Sequence, residues 1–218
     1  MRRRRRTTKR TSRSTRIAAA ATLALLVPLT ACSDDDNGMG PEATGSVEAA
    51  VMDGGAGSTA DVVGGTRASV SSASADGSFR ADARVEVSLD GDSWVDIGET
   101  SDLDVALQSG EAQTVGTADL AAQTYSKVRV VLTNAEAEVL AGSTIGAGPI
   151  SADLTIDVDG GADGQVVLEF DRSITVRADE RTELLFDLNS GAWLDDQAIQ
   201  AGAVSEAEVQ SAASLTVQ

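Results

Sequence analysis

Histidine is absent from the 218 residues, and cysteine occurs once, at Cys32. Without histidine there is no Ser-His-Asp or Cys-His nucleophile system and no His-bound zinc. A single cysteine also rules out an intrachain disulfide and a cysteine-built metal cage. Aromatic residues make up only 3% of the chain, so a core has to be assembled from Val, Leu, Ile and Ala. Trp94, Trp193 and Tyr125 are too scattered to mark the aromatic-lined cleft of a glycan hydrolase. Basic residues are scarce as well, 17 against 34 acidic ones, and no glycine-rich phosphate loop with its lysine occurs.

Charge is unevenly placed. Nine of the 17 basic residues lie between Arg2 and Arg16, ahead of an apolar run of 14 residues from Ile17 to Thr30. Spanning a bilayer takes roughly 20 apolar residues, so the run is too short for a permanent transmembrane helix. A basic start, a short apolar stretch and small residues after it are the parts of a secretory signal. No twin-arginine pair directly precedes the apolar stretch, which points to the general secretion route. Leu29-Thr30-Ala31-Cys32 resembles the lipobox of bacterial lipoproteins. The resemblance implies a diacylglycerol on the Cys32 thiol, cleavage just before it, and a palmitate-bearing first residue. Cleavage there removes nine basic residues and leaves eight against 34 acids, a formal charge of −26. Such a surface repels nucleic acid and is soluble at high ionic strength.

Four segments follow from this reading: a signal peptide at 1–31, the lipidated cysteine with an acidic tether at 32–45, a domain at 46–200 and a C-terminal extension at 201–218. The tether, Ser33 to Gly45, contains almost nothing that can be buried and reads as a flexible spacer. Asp34 to Asp36 fit a solvated linker run, a cation site, or the acidic export signals that follow the cysteine in some Gram-negative lipoproteins. Ser33 resembles the residue at that place in lipoproteins sent to an outer membrane. The localisation expected is a cell membrane or outer membrane, anchored by lipid and facing the periplasm or the exterior.

Beyond Ser46 the dominant period is two. Phe79, Ala81, Ala83, Val85, Val87 and Leu89 alternate with Arg80, Asp82, Arg84, Glu86 and Ser88, which predicts a long half-buried strand. Val47/Ala49/Val51, Leu103/Val105/Leu107, Val128/Val130/Leu132, Leu154/Ile156/Val158, Val166/Leu168/Phe170, Ile174/Val176 and Leu184/Phe186/Leu188 repeat the pattern. Asp-Gly and Gly-Gly pairs punctuate them. The fold class expected is all-β, an antiparallel β-sandwich of immunoglobulin or transthyretin-like type. Between Gly54 and Ser78 the many Gly, Ala and Ser residues predict a long loop or weak edge strands. Ser205 to Ala213 predicts a helical turn or two. At Asp90-Gly91 burial selects a three-residue loop, Asp90 to Asp92, pairing Val87 with Val95 and Val85 with Ile97 and sending Trp94 to the other face.

Several segments in order are similar to a family of bacterial and archaeal lipoproteins carrying a domain of unknown function. They are the hairpin Ala83–Ile97 with its tryptophan, the Leu-Asp-rich Asp102–Leu107, the Tyr125 and Arg129 segment Leu120–Leu132, and Glu183–Asn189. The match runs roughly from Ser46 to Ile199. Val51-Met-Asp-Gly-Gly55 stands where members often carry Thr-Asp-Ala-Pro, and Gly148-Pro149-Ile150-Ser151 only partly echoes their Pro-Ser step. The resemblance implies a β-sandwich on the cell envelope and no established activity.

For chemistry, what remains is carboxylates. Asp157, Asp159 and Asp163 place hard oxygen ligands around glycines in a turn, the ingredients of a calcium site. Gly161 and Leu168 stand where a helix-flanked calcium loop needs acids. Asp and Gly also dominate turns for backbone reasons, so a polar connection between two strands accounts for the same residues; Asp90/Asp92 and Asp195/Asp196 share that ambiguity. No cofactor motif is present, and calcium is the one ion the acidic turns suit. Trp94 and Trp193 are candidates for a binding patch, or for sheet packing. Tyr125 suits a capped sheet edge, and Arg129 a partner for nearby carboxylates. The function expected is a lipid-anchored, non-catalytic envelope protein that binds a partner protein or a glycan and no nucleic acid. Two alternatives stand beside it: a calcium-stabilised adhesion or carbohydrate-binding module, and a carboxylate-dependent glycan hydrolase.

Overall fold

A computed structural model describes residues 43–54, 74–146 and 148–218. The signal segment, Cys32 and most of the tether lie outside the described residues, as does most of the Gly54–Ser78 stretch. The alternating runs become strands: β1 (Thr44–Met52), β2 (Gly77–Ser88), β3 (Trp94–Ala106), β4 (Ala112–Ala121), β5 (Thr124–Tyr125), β6 (Lys127–Val139) and β7 (Thr144–Ile145). They continue as β8 (Gly148–Pro149), β9 (Leu154–Asp159), β10 (Gln165–Phe170), β11 (Ile174–Thr175) and β12 (Arg181–Asp187). Helix α1 (Asp196–Ala201), β13 (Ala203–Ser205), helix α2 (Glu206–Ala212) and β14 (Ser214–Val217) complete the chain.

One sheet has the order β14-β12-β1-β4 and the other β13-β9-β6-β2-β3, with β10 also paired to β6. The inner faces of both sheets contribute to a single apolar core. Phe79, Leu132, Ile156 and Leu168 come from the second sheet, Val47, Leu184 and Phe186 from the first, all essentially without exposure. Each such side chain stabilises the fold by about 1.5–3 kcal/mol through burial. Phe170 meets Phe186 with ring centroids 5.7 Å apart, joining the sheets at one end. The architecture is the expected all-β sandwich. Two pairings depart from antiparallel, β1 with β12 and β9 with β13.

Edge strands β3 and β4 close one side of the sandwich. A Cβ on Gly98 would lie 2.6 Å from the Gly116 Cα, and one on Gly116 would lie 2.5 Å from the Gly98 Cα. Two glycines are therefore what lets these backbones touch. The opposite side is finished by residues 201–218: β13 pairs with β9, β14 pairs with β12, and α2 packs between them with Val209 buried. Its start is a capping box, Ser205 N–H to Glu208 Oε2 at 2.9 Å and Glu208 N–H to Ser205 Oγ at 3.4 Å. The helical turns read from Ser205 to Ala213 are this helix. Asp195 caps α1, its Oδ1 accepting from Gln197 N and Ala198 N, both at 2.9 Å.

The hairpin between β2 and β3 keeps the expected register through Val87–Val95 and Glu86–Asp96 but loses it at the next pair. Val85 lies opposite Gly98, because Ile97 is the extra residue of a β-bulge. The bulge turns Ile97 into the core, 3% exposed, although Val95 on the same strand stays 45% exposed. The connection runs from Leu89 to Ser93 rather than over three residues. Ser88 Oγ accepts from Gly91 N at 2.8 Å, and Asp90 Oδ1 accepts from Asp92 N and Ser93 N, each at 2.9 Å. Those N–H groups favour the ionised carboxyl, and they lower the Asp90 pKa.

Candidate functional site

Along β2 the even residues Arg80, Asp82, Arg84, Glu86 and Ser88 point away from the core, while Phe79 to Val87 at odd positions fill it. Across the sheet the outer rows are set by register. Glu86 lies between Asp96 of β3 and Arg129 of β6, and Arg129 lies opposite Glu169 of β10. Four of the eight basic residues that follow Cys32 (Arg80, Arg84, Lys127 and Arg129) stand on β2 and β6 of this one face. In a chain so acidic, half of these cations are gathered on one face, each beside carboxylates.

Glu86 is 8% exposed, and its Oε2 accepts from Arg129 Nε at 2.6 Å. The Arg129 guanidinium carbon sits 4.0 Å from the centroid of the Trp94 ring, a stacking worth about 0.5–1 kcal/mol at a partly exposed site. Lys127 bonds Glu169 and lies 3.3 Å from Asp171. Hydrogen bonds to both carboxylates hold its ammonium above the usual range. Asp96 is raised in pKa, first by burial and then by the Glu86 charge beside it.

Further along the same face lies an open depression of about 460 Å³, lined by Asp82, Arg84, Glu99, Ser101, Thr133 and Gln165 among others. Its position is explained by the strands on both sides of β2. Opposite Asp82, β3 carries two residues, Ser101 and Asp102, between the pairs Ala83–Thr100 and Ala81–Leu103. β6 likewise carries Asn134 and Ala135 between the pairs Asp82–Thr133 and Arg80–Glu136. Asn134 adopts the left-handed φ of 53° that such an insertion needs, and its Nδ2 donates to Asp82 Oδ2 at 2.7 Å. Two bulges abreast bend the sheet. They also divide the far edge of β6, which pairs with β10 through Thr133 and with β9 from Glu136 onward.

Sequence comparison adds a family. The model of a domain of unknown function, DUF4382, matches residues 44–201. The chain belongs to the DUF4382 family. Comparison with curated proteins and with solved structures finds no match. Among the described residues of this DUF4382 protein, no helix is long and apolar enough to cross a membrane.

The DUF4382 domain separates the residues that the sequence grouped as candidates. Trp94 belongs to the outer face, under Arg129. Trp193 does not: it is 4% exposed, its Nε1 donates to Leu188 O at 3.0 Å, and its ring meets Phe79 edge-on at 6.4 Å. As a binding residue Trp193 is corrected to a core residue, because its one polar atom is satisfied inside. Asp157, Asp159 and Asp163 are not brought together either. Asp159 Oδ1 accepts from Gly161 N at 2.9 Å, closing the turn, and Asp163 sits in the short 3₁₀ turn Gly161–Asp163. Among the described residues, no group of three or more His, Cys, Asp or Glu is arranged to hold a metal ion. The strand-connection reading accounts for Asp159 and Asp163. Tyr125 is buried with its hydroxyl 3.4 Å from Ala121 O.

Sequence reasoning missed Asp53, the most enclosed carboxyl among the described residues, fully buried just after β1. Its Oδ1 accepts from Ser190 N at 2.6 Å, and its Oδ2 accepts from Gln108 N at 2.7 Å and from the Ser190 hydroxyl. Burial is the main cause that raises its pKa, against the lowering by those hydrogen bonds. The available signal was an aspartate at a strand end followed by Gly54-Gly55. It joins β1, the β3–β4 turn and the Ser190–Ala192 turn. With every donor already engaged, this carboxyl is a structural tie.

Proposed function

We propose that the chain is a lipid-anchored cell-envelope protein whose DUF4382 sandwich is a non-catalytic binding module. Cleavage before Cys32 and acylation of its sulfur hold the sandwich at a membrane surface, with Ser33 to Gly45 as the spacer. The partner, an envelope protein or a glycan, is met by the outer face of β2, β3, β6 and β10. The observation that carries this reading is the gathering of Arg80, Arg84, Lys127, Arg129 and Trp94 on one open sheet face of a chain with 34 acidic residues. Arginine beside tryptophan is the pairing enriched where proteins recognise partners.

Two measurements test it. Cells given an alkyne analogue of palmitate should label the wild-type chain and not Cys32→Ala; an unlabelled, uncleaved wild type overturns the anchor. The unacylated Cys32→Ala chain should bind isolated envelopes saturably, and Trp94→Ala or Arg129→Ala should weaken that binding at least about tenfold, the loss expected when an interface centre is truncated. Binding that survives both changes overturns the assignment of the face.

A further inference from the structure

Arg84 differs from every other cation on the described surface. Arg80, Lys127, Arg129, Arg172, Arg177 and Arg181 each donate a hydrogen bond to the protein. Arg84 donates none: its Nε is shut off from solvent without an acceptor, and Glu86 Oε1 lies 3.5 Å away as an ion pair only. A buried donor without a partner is uncommon enough in native proteins to call for a cause. Here Arg84 lines the depression beside the paired bulges, a place where bulges re-aim side chains.

The chemistry of the depression narrows what fits. Arg84 presents a planar fork of N–H donors suited to two neighbouring oxygens. Asp82 and Glu99 stand on either side as acceptors, and Ser101, Thr133 and Gln165 add hydroxyl and amide groups. An anionic ligand would satisfy the fork but would meet both carboxylates and the repulsion of a strongly acidic chain. A cation would meet the guanidinium. A neutral ligand dense in hydroxyls avoids both conflicts, because each hydroxyl accepts from Arg84 while donating to a carboxylate.

We propose that the depression between β2, β3, β6 and β10 is a saccharide subsite, with Arg84 holding a vicinal pair of hydroxyls and Asp82 and Glu99 accepting their protons in hydrogen bonds. This rests on the reading of the outer face as a binding surface, and it names both the ligand class and the place. Trp94 lies in the row of Ser88, four residues from Arg84 along β2. At about 3.3 Å per residue that separation is about 13 Å, so a longer glycan reaches both.

The test is an NMR titration of the full-length Cys32→Ala chain, following backbone amides and the Arg84 Nε–Hε resonance. Cellobiose, maltose and diacetylchitobiose serve as neutral probes and digalacturonate as the anionic one. At least one neutral disaccharide should shift Arg84 Nε–Hε together with the amides of Thr133 and Gln165. Arg84→Lys, which keeps the charge and removes the fork, should weaken that binding at least about tenfold, and Thr133→Val should weaken it less. No shift with any neutral probe overturns the proposal, as does preference for digalacturonate or indifference to Arg84→Lys. Shifts confined to Trp94 and Arg129 also overturn it while leaving the outer face as the binding surface. Failure of envelope binding together with absent shifts removes the broader reading as well.

Discussion

At two places in this molecule a carboxylate sits beneath the surface with a tryptophan nearby, and they are put to opposite uses. Around Asp53 the oxygens take the Ser190 and Gln108 N–H groups and the Ser190 hydroxyl, and Trp193 donates inward to Leu188 O. Around Glu86 one oxygen takes Arg129, the other only approaches Arg84, and Trp94 lies across the guanidinium at the surface. The first arrangement is closed: both Asp53 oxygens are engaged in the interior, and the carboxyl holds loops together. The second leaves the Arg84 Nε without an acceptor, in a side chain that is itself 42% exposed. The lesson is that buried charge alone does not mark a site; unspent hydrogen-bonding capacity next to an opening does.

The contrast breaks most visibly through the tryptophans. Trp193→Ala should destabilise the fold by about 3–5 kcal/mol, as expected for emptying an aromatic core position, whereas Trp94→Ala should cost under about 1 kcal/mol, the scale of a partly exposed stacking. Urea unfolding of the two variants measures both, and equal losses would erase the distinction.

Removing Asp53 comes next. Asp53→Ala should cost about 2–4 kcal/mol, because buried donors are left without their acceptor, and it should leave envelope binding by the folded fraction unchanged. The pH dependence has a definite sign. Since burial holds the Asp53 pKa above its ordinary 3.8, its stabilising contribution is complete below the ordinary carboxylate range and falls away as pH rises through the folded value. Relative to Asp53→Asn, which does not titrate, the wild type should therefore lose stability as pH rises from the ordinary carboxylate range through the raised folded value. A difference that stays constant over that interval contradicts the account of Asp53.

Glu86→Gln gives a smaller change in stability than Trp193→Ala or Asp53→Ala, and a more selective one. With Glu86 and Arg129 only 10% and 25% exposed in their side chains, losing the charge should cost about 1–2 kcal/mol. It should also release Arg129 from its place over Trp94, seen as a change in tryptophan fluorescence. Fluorescence identical to wild type would mean that Trp94 and Arg129 are held together without Glu86.

Much of the sandwich was legible because one buried face writes a period of two into the chain. Val47/Ala49/Val51, Phe79 to Val87, Val128/Val130/Leu132 and Leu184/Phe186 lie in the strands they suggested, whereas Leu89 falls past the end of β2 and is exposed. β4 was not legible. Its buried residues, Val115 and Leu120, are five apart, and its partner β1 shifts register between Ala49 and Ala50. The parallel pairing of β1 with β12 was hidden as well, since alternation does not specify direction. The bulge in β6 left one trace, the change from even core positions at Val128 to Leu132 to odd ones at Ala135 to Val139. The depression was beyond reach of the sequence because Arg84, Glu99 and Thr133 come together only through register on three strands. Trp94 and Trp193 look alike in the chain, and only their partners separate them.

Hydroxyl-radical footprinting of the mature protein, compared between intact envelopes and the purified chain in detergent, tests the central claim most directly. The outer face of β2, β3, β6 and β10 should be reactive at Trp94 and Arg84 in the purified chain and protected in the envelope, while Trp193 stays unreactive in both. Equal reactivity of Trp94 and Arg84 in the two preparations would contradict the assignment of that face as the surface where the partner binds.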